Sequence, residues 1–247
     1  MKNNWYKIGF LLIVLVFVST SACNEKDPVP DYGTKANIVG EVSLFDEGLV
    51  PLRNDSMIVT VVGTNPVITD TTDANGKYVL KDVPYGSYSL SFHKTGYGFH
   101  MINNVVHQEG ETVVTKTITL GQFSTTHITA LSAKDTLGSI LIRISSDPAG
   151  TPSSPRHIRV FFHDIDNVSF ENYTKNIFLA NQKTSPLEYR LNPHALEDMG
   201  FKTGETVWIK AYGDSYYSND YIEPVKGQHI YPNLNMNSAA ATSFVVP

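Results

Sequence analysis

The sequence predicts an all-β protein built of two β-sandwiches in tandem. Past residue 30 no long stretch repeats its apolar residues at helical spacing, and short runs instead alternate apolar with polar side chains. Clusters of Gly, Pro, Asn and Asp punctuate those runs, as they do between the strands of sandwiches and barrels. Apolar residues make up 41% and charged residues 17%, enough to fill a core and too little charge for a disordered chain.

The N-terminus comes first. Lys2 and Lys7 precede an uncharged apolar run, Ile8 to Val18, and the small residues Ser19 to Ala22 follow it. This is the layout of a secretory signal, and the run is too short to span a bilayer, so residues 1–22 are set aside from the fold. Cys23 stands directly after it and is the single cysteine, which excludes an intrachain disulfide. Residues 23–36 are polar and carry Pro28 and Pro30, the composition of an extended tether.

Thr20-Ser21-Ala22-Cys23 resembles a bacterial lipobox, with Thr20 standing where that motif usually has leucine. The resemblance implies cleavage before Cys23 and acylation of it. More than one acyl chain holds a protein stably on a membrane without a transmembrane helix. Glu25 and Asp27 resemble the acidic surface-export signal of Bacteroidota lipoproteins. The expected place is the outer membrane, lipid-anchored and facing the cell surface.

The first unit is expected over residues 37–121. Asp73-Ala74-Asn75-Gly76 has turn chemistry, since Asn and Gly tolerate positive φ and Asp bonds its own backbone. Lys77 to Leu80 reads as a strand, and Asp82 to Gly86 as a second turn with Gly86 left-handed. From Ser87 to His93 the alternation is clean, with Tyr88, Leu90 and Phe92 on one face and serines on the other. The run from Thr72 to Tyr97, with Gly40 to Gly48 before it, resembles a carboxypeptidase regulatory-like domain. That implies a transthyretin-like sandwich serving as a stabilising or interaction module, with no catalytic residues.

The second unit is expected over 122–247. Its strand candidates are 139–145, 156–164, 187–191, 205–213 and 241–246, with 145–155 as a loop. Ile140, Ile142 and Ile144 share a face, as do Ile158, Val160 and Phe162, and Val207, Ile209 and Ala211. A short helical turn fits Pro193 to Met199, with Pro at its start and Gly200 at its end. Gly204 to Ser215 resembles the penultimate strand of a fibronectin type III-like domain, and 241–247 would close the sheet.

Net charge is −5 with no Lys/Arg cluster, which argues against nucleic acid as a partner. The chain holds no G-x-S-x-G elbow, no H-E-x-x-H and no phosphate-binding loop. The expectation is a protein with no catalytic residues, no metal and no cofactor. His163, Asp164 and Asp166, and Asp214, Asp220 and Glu223, read as loop polar groups rather than ligand sets.

One segment stands out. Trp208, Tyr212, Tyr216, Tyr217, Tyr221 and Tyr231 are interleaved with Asp, Asn, Lys and Gln. Aromatic faces beside polar side chains suit a sugar, which presents C–H faces and hydroxyl rims. Trp208, Tyr212, Tyr216, Tyr217 and Tyr221 are therefore the candidate ligand-binding residues, with packing as the competing account and the tip from Tyr216 to Tyr221 as the exposed part. The expected role is a binding or scaffolding module for a glycan or an outer-membrane protein partner. The alternatives are a fimbrial subunit donating its last strand, and an accessory of a hydrolase or peptidase system.

Overall fold

The computed structural model describes residues 33–247, so the signal segment, Cys23 and most of the tether lie outside the described residues. The first half contains β1 (Lys35–Phe45), β2 (Ile58–Val61), β3 (Ile68–Thr71), β4 (Lys77–Pro84), β5 (Gly86–His93), β6 (His100–His107), β7 (Thr112–Val113) and β8 (Ile118–Gly121). β1 is the spine of one sheet: it pairs antiparallel with β4 and parallel with β7 and then β8. The other sheet runs β3-β2-β5-β6, antiparallel throughout. Alternation sends Ile38, Val42 and Leu44 of β1 and Tyr78 and Leu80 of β4 into one core, where Val59, Val61, Leu90 and Phe92 meet them.

The turn at residues 73–76 forms as expected: the Asp73 carboxylate accepts from the Asn75 and Lys77 N–H groups, and Gly76 sits at φ +87. The second turn differs. β4 continues through Pro84, and the left-handed residue is Asp82, at φ +54, not Gly86. The reason is a β-bulge. Between the pairs Ala36↔Val83 and Ile38↔Leu80 strand β4 carries one more residue than β1, and Asp82 absorbs the kink while its N–H is taken by Asn37 Oδ1.

The second half contains β9 (His127–Asp135), β10 (Ile140–Asp147), β11 (Arg156–His163), β12 (Lys175–Asn181), β13 (Leu187–Leu191), helix α1 (Pro193–Asp198), β14 (Thr206–Asp214), β15 (Tyr221–Ile222), β16 (His229–Ile230) and β17 (Thr242–Val245). A three-stranded sheet β13-β10-β9 and a four-stranded sheet β12-β11-β14-β17 share one core. It is filled by the isoleucine stripe of β10, by Ile158, Val160 and Phe162 of β11, and by Val207, Ile209 and Ala211 of β14. These are the three faces that the alternation assigned.

β10 extends two residues into the expected loop, because Ser146 and Asp147 pair with Ile128 and His127. β9 and β12 were not among the strand candidates: they are sheet edges, and each buries a single side chain fully, Ile128 and Asn181. An edge strand with so few buried positions writes a weak apolar signal. α1 starts on Asn192, whose Oδ1 accepts from the Ala195 N–H, and Gly200 at φ +93 follows its end. β17 is paired along its length with β14.

Candidate ligand site at the junction of the two sandwiches

The aromatic segment begins on β14. Val207, Ile209 and Ala211 face the core, so Trp208, Lys210 and Tyr212 face the opposite side of the sheet. That side is covered. Tyr212, 5% exposed, and Tyr231, 8% exposed, pack around Phe161 with Val168 and Leu234, and Trp208, Phe170 and Tyr173 lie against them. At the margin of this cluster the Arg159 guanidinium lies 3.9 Å from the Tyr231 ring centroid and 5.1 Å from that of Phe178. Its Nε donates to Asp214 Oδ2 at 2.7 Å and its Nη1 to Asn176 Oδ1, while Asn176 donates to the Tyr231 hydroxyl. Burial pushes the Asp214 carboxyl up, and Arg159 and the Ser215 N–H oppose that. Trp208 and Tyr212 are thus framework.

After Asp214 the chain leaves the sheet and wedges between the sandwiches. Residues 216–221, expected as an exposed tip, are exposed only in part: Ser218 and Asn219 are buried and Tyr216 is 44% exposed. Asn219 holds the wedge. It adopts φ +54, its Oδ1 accepts from the Gly121 N–H, and its Nδ2 donates to the carbonyls of Gly121 and Gly98. Asn233 completes the knot, accepting from the Gly98 N–H and donating to the carbonyls of Gly121 and Tyr217. Two glycines allow this approach. A Cβ on Gly121 would lie 2.6 Å from the Tyr217 carbonyl oxygen, and one on Gly98 would collide with Asn233 Oδ1.

Glu47, in the β1–β2 loop, ties the same junction from the other side. Its carboxylate accepts from the Thr125 N–H, the Thr125 hydroxyl and Arg156 Nη1, and its carbonyl accepts from the Tyr216 N–H. With β8 ending at Gly121 and β9 starting at His127, only residues 122–126 connect the two sandwiches, and buried hydrogen bonds lock the junction.

Two clefts flank the wedge. The first, about 460 Å³, is polar and is lined by His100, Lys116, Thr119, Tyr217, Ser218 and Asp220. Lys116 has no hydrogen-bond or ion-pair partner among the described residues. The His100 Nδ1–H donates to the Asn219 carbonyl, and burial holds the imidazole below its ordinary range. The second cleft, about 480 Å³, is lined by Leu49, Val50, Pro152, Pro155, His157 and Gln182. Tyr216 forms part of the wall of both.

The candidate residues therefore divide. Tyr216 and Tyr217 lie together, rings at 83° with centroids 5.0 Å apart, and Tyr217 also rests on Phe45. Tyr221 packs half-buried between Phe99 and His100. Sequence reading did not find Asn219, Asn233, His100 or Gln182. Asn219 and Asn233 act on glycines 98 to 135 positions away, a separation that no local pattern reports. Among the described residues no group of three or more His, Cys, Asp or Glu side chains is placed to hold a metal.

No protein-family model and no curated protein sequence matches the chain. Among solved structures it is similar to a candidate carbohydrate-binding protein from Bacteroides uniformis, at 13% identity over 86% of this chain and 100% of that one, TM-score 0.29. It is also similar to a DUF3823 family protein from Bacteroides ovatus, at 13% identity over 86% of this chain and 100% of that one, TM-score 0.30. A DUF3823 family protein from Parabacteroides merdae matches at 10% identity over 81% of this chain and 97% of that one, TM-score 0.29. At these identities and scores none of them says what this chain binds, and function rests on the residues themselves.

Proposed function

We propose that this chain is a non-enzymatic, lipid-anchored cell-surface module that binds a glycan at the Tyr216–Asp220 wedge. The observation that carries the reading is the placement of Tyr216: a residue 44% exposed, its ring set against those of His157 and Tyr217, that lines both clefts. A rigid tyrosine offers a sugar an apolar face at small entropic cost. Lys116, Ser218 and Asp220 beside it offer hydroxyl partners of both hydrogen-bonding senses. The two modules are residues 37–121, of carboxypeptidase regulatory-like type, and residues 122–247, of fibronectin-like type. In support, one core draws only on residues 38–120 and another only on residues 128–246.

Titration calorimetry of the full chain against a panel of neutral oligosaccharides tests the binding role. Tyr216→Ala should abolish binding of any ligand found while the Tm stays within a few degrees; unaltered affinity in that variant removes the wedge from the reading. The anchor is tested separately, by feeding cells an alkyne-tagged fatty acid: labelling that persists in Cys23→Ala places the lipid elsewhere.

A further inference from the structure

We infer that the apolar cleft is the seat of an N-acyl substituent, so that the preferred ligand is a glycan bearing acetamido groups. This rests on the glycan reading of the wedge and names the sugar class. Tyr216 walls both clefts, so a sugar stacked on it lies within reach of each. A sugar carrying only hydroxyls matches the polar cleft and leaves the apolar one unused. Leu49, 55% exposed, and Val50, 60% exposed, together with Pro152 and Pro155, would then face water.

In the second cleft the carboxylates already have protein partners: Asp46 accepts from the N–H groups of Gly48 and Val50, and Glu47 from Thr125 and Arg156. With Leu49, Val50, Pro152 and Pro155 as the apolar lining, the ligand part seated there is apolar, such as a methyl. The cleft also holds Gln182, whose side-chain amide has no partner among the described residues. A primary amide donates and accepts at once, the complement of an acetamido N–H and C=O. Methyl, carbonyl and N–H thus each find a counterpart, which neither a plain hexose nor a fatty chain would use.

The test compares chitotriose with cellotriose, which share backbone and linkage and differ in acetamido groups in place of hydroxyls. The full chain should bind chitotriose at least about tenfold more tightly. Gln182→Ala and Val50→Ser should each pull the ratio of the two affinities toward one, with circular-dichroism melts reporting that the fold is kept. Equal affinity for both sugars, lost together in Tyr216→Ala, overturns the acetamido inference and leaves the glycan reading standing. Binding of neither sugar nor any other glycan, with an apolar peptide captured at Val50 instead, overturns both.

Discussion

The tyrosines between 212 and 231 come from one stretch of sequence and do opposite work. Tyr212 and Tyr231 are buried under loops that cross the outer face of the four-stranded sheet. Tyr216 and Tyr217 project where that sheet has ended and the other sandwich begins. The residue types are the same, and what differs is the cover. On β14 the odd face is taken by the core, so the even face is free for a second layer, and the loops around 168–173 and 231–241 supply it. Past Asp214 the chain meets residues of the first sandwich, and clefts remain beside Tyr216 and Tyr217. An aromatic-rich segment therefore names a region of large contact area, and tertiary placement decides whether protein or ligand uses it.

Removing Arg159 should break the buried side of this comparison most severely. Arg159→Ala strands Asp214, whose side chain is fully buried, and withdraws the cation from Tyr231. Loss of one partner from a buried pair costs about 3–5 kcal/mol, and chemical denaturation should report a loss of that size.

The wedge is next. Asn219→Ala deprives the Gly121 N–H and the Gly98 carbonyl of their partner and puts a Cβ-bearing residue without a side-chain amide at φ +54. A loss of about 2–3 kcal/mol is expected for such orphaned groups. If the wedge is what orients Tyr216, this variant should also lose ligand affinity at temperatures where it remains folded; retained affinity would show that the tyrosine finds its place without Asn219.

Acid should act on the junction more than on either core. Burial lowers the pKa of both His100 and His157 from the ordinary 6.5. The unfolded chain then binds protons more readily than the folded one, so stability contributed by the neutral imidazoles is complete above the unfolded value and is lost as pH falls through it. The Tm should drop on the order of a few degrees between about pH 7 and about pH 5.5, and His100→Gln should flatten that slope. An unchanged slope would assign the acid sensitivity to other groups.

The smallest stability effect belongs to Tyr216→Ala. It removes an edge contact to His157 and one to Tyr217, worth about 1 kcal/mol or less. A loss as large as that of Arg159→Ala would erase the distinction between the two aromatic groups.

Much of the framework was legible. The stripes of β10, β11 and β14 and the Asp73–Gly76 turn follow from residues two to four apart, and such local order is written in the sequence itself. The edge strands β9 and β12 were not legible, because each buries a single side chain over its 9 or 7 residues and so shows no sustained buried alternation. Of the five candidate ligand residues, Tyr216 and Tyr217 line clefts, Tyr221 is a half-buried neighbour of His100, and Trp208 and Tyr212 pack beneath loops.

By itself the sequence determined an all-β chain, the sheet faces that fill its cores, and an aromatic region rich enough to matter. Only the tertiary structure decided which aromatics stay accessible, because that depends on Asn219, Asn233 and Glu47 reaching groups some 80 to 135 positions away. Hydrogen bonds at that range leave no periodicity in the chain. They exist only once both sheets have formed and their ends are brought together.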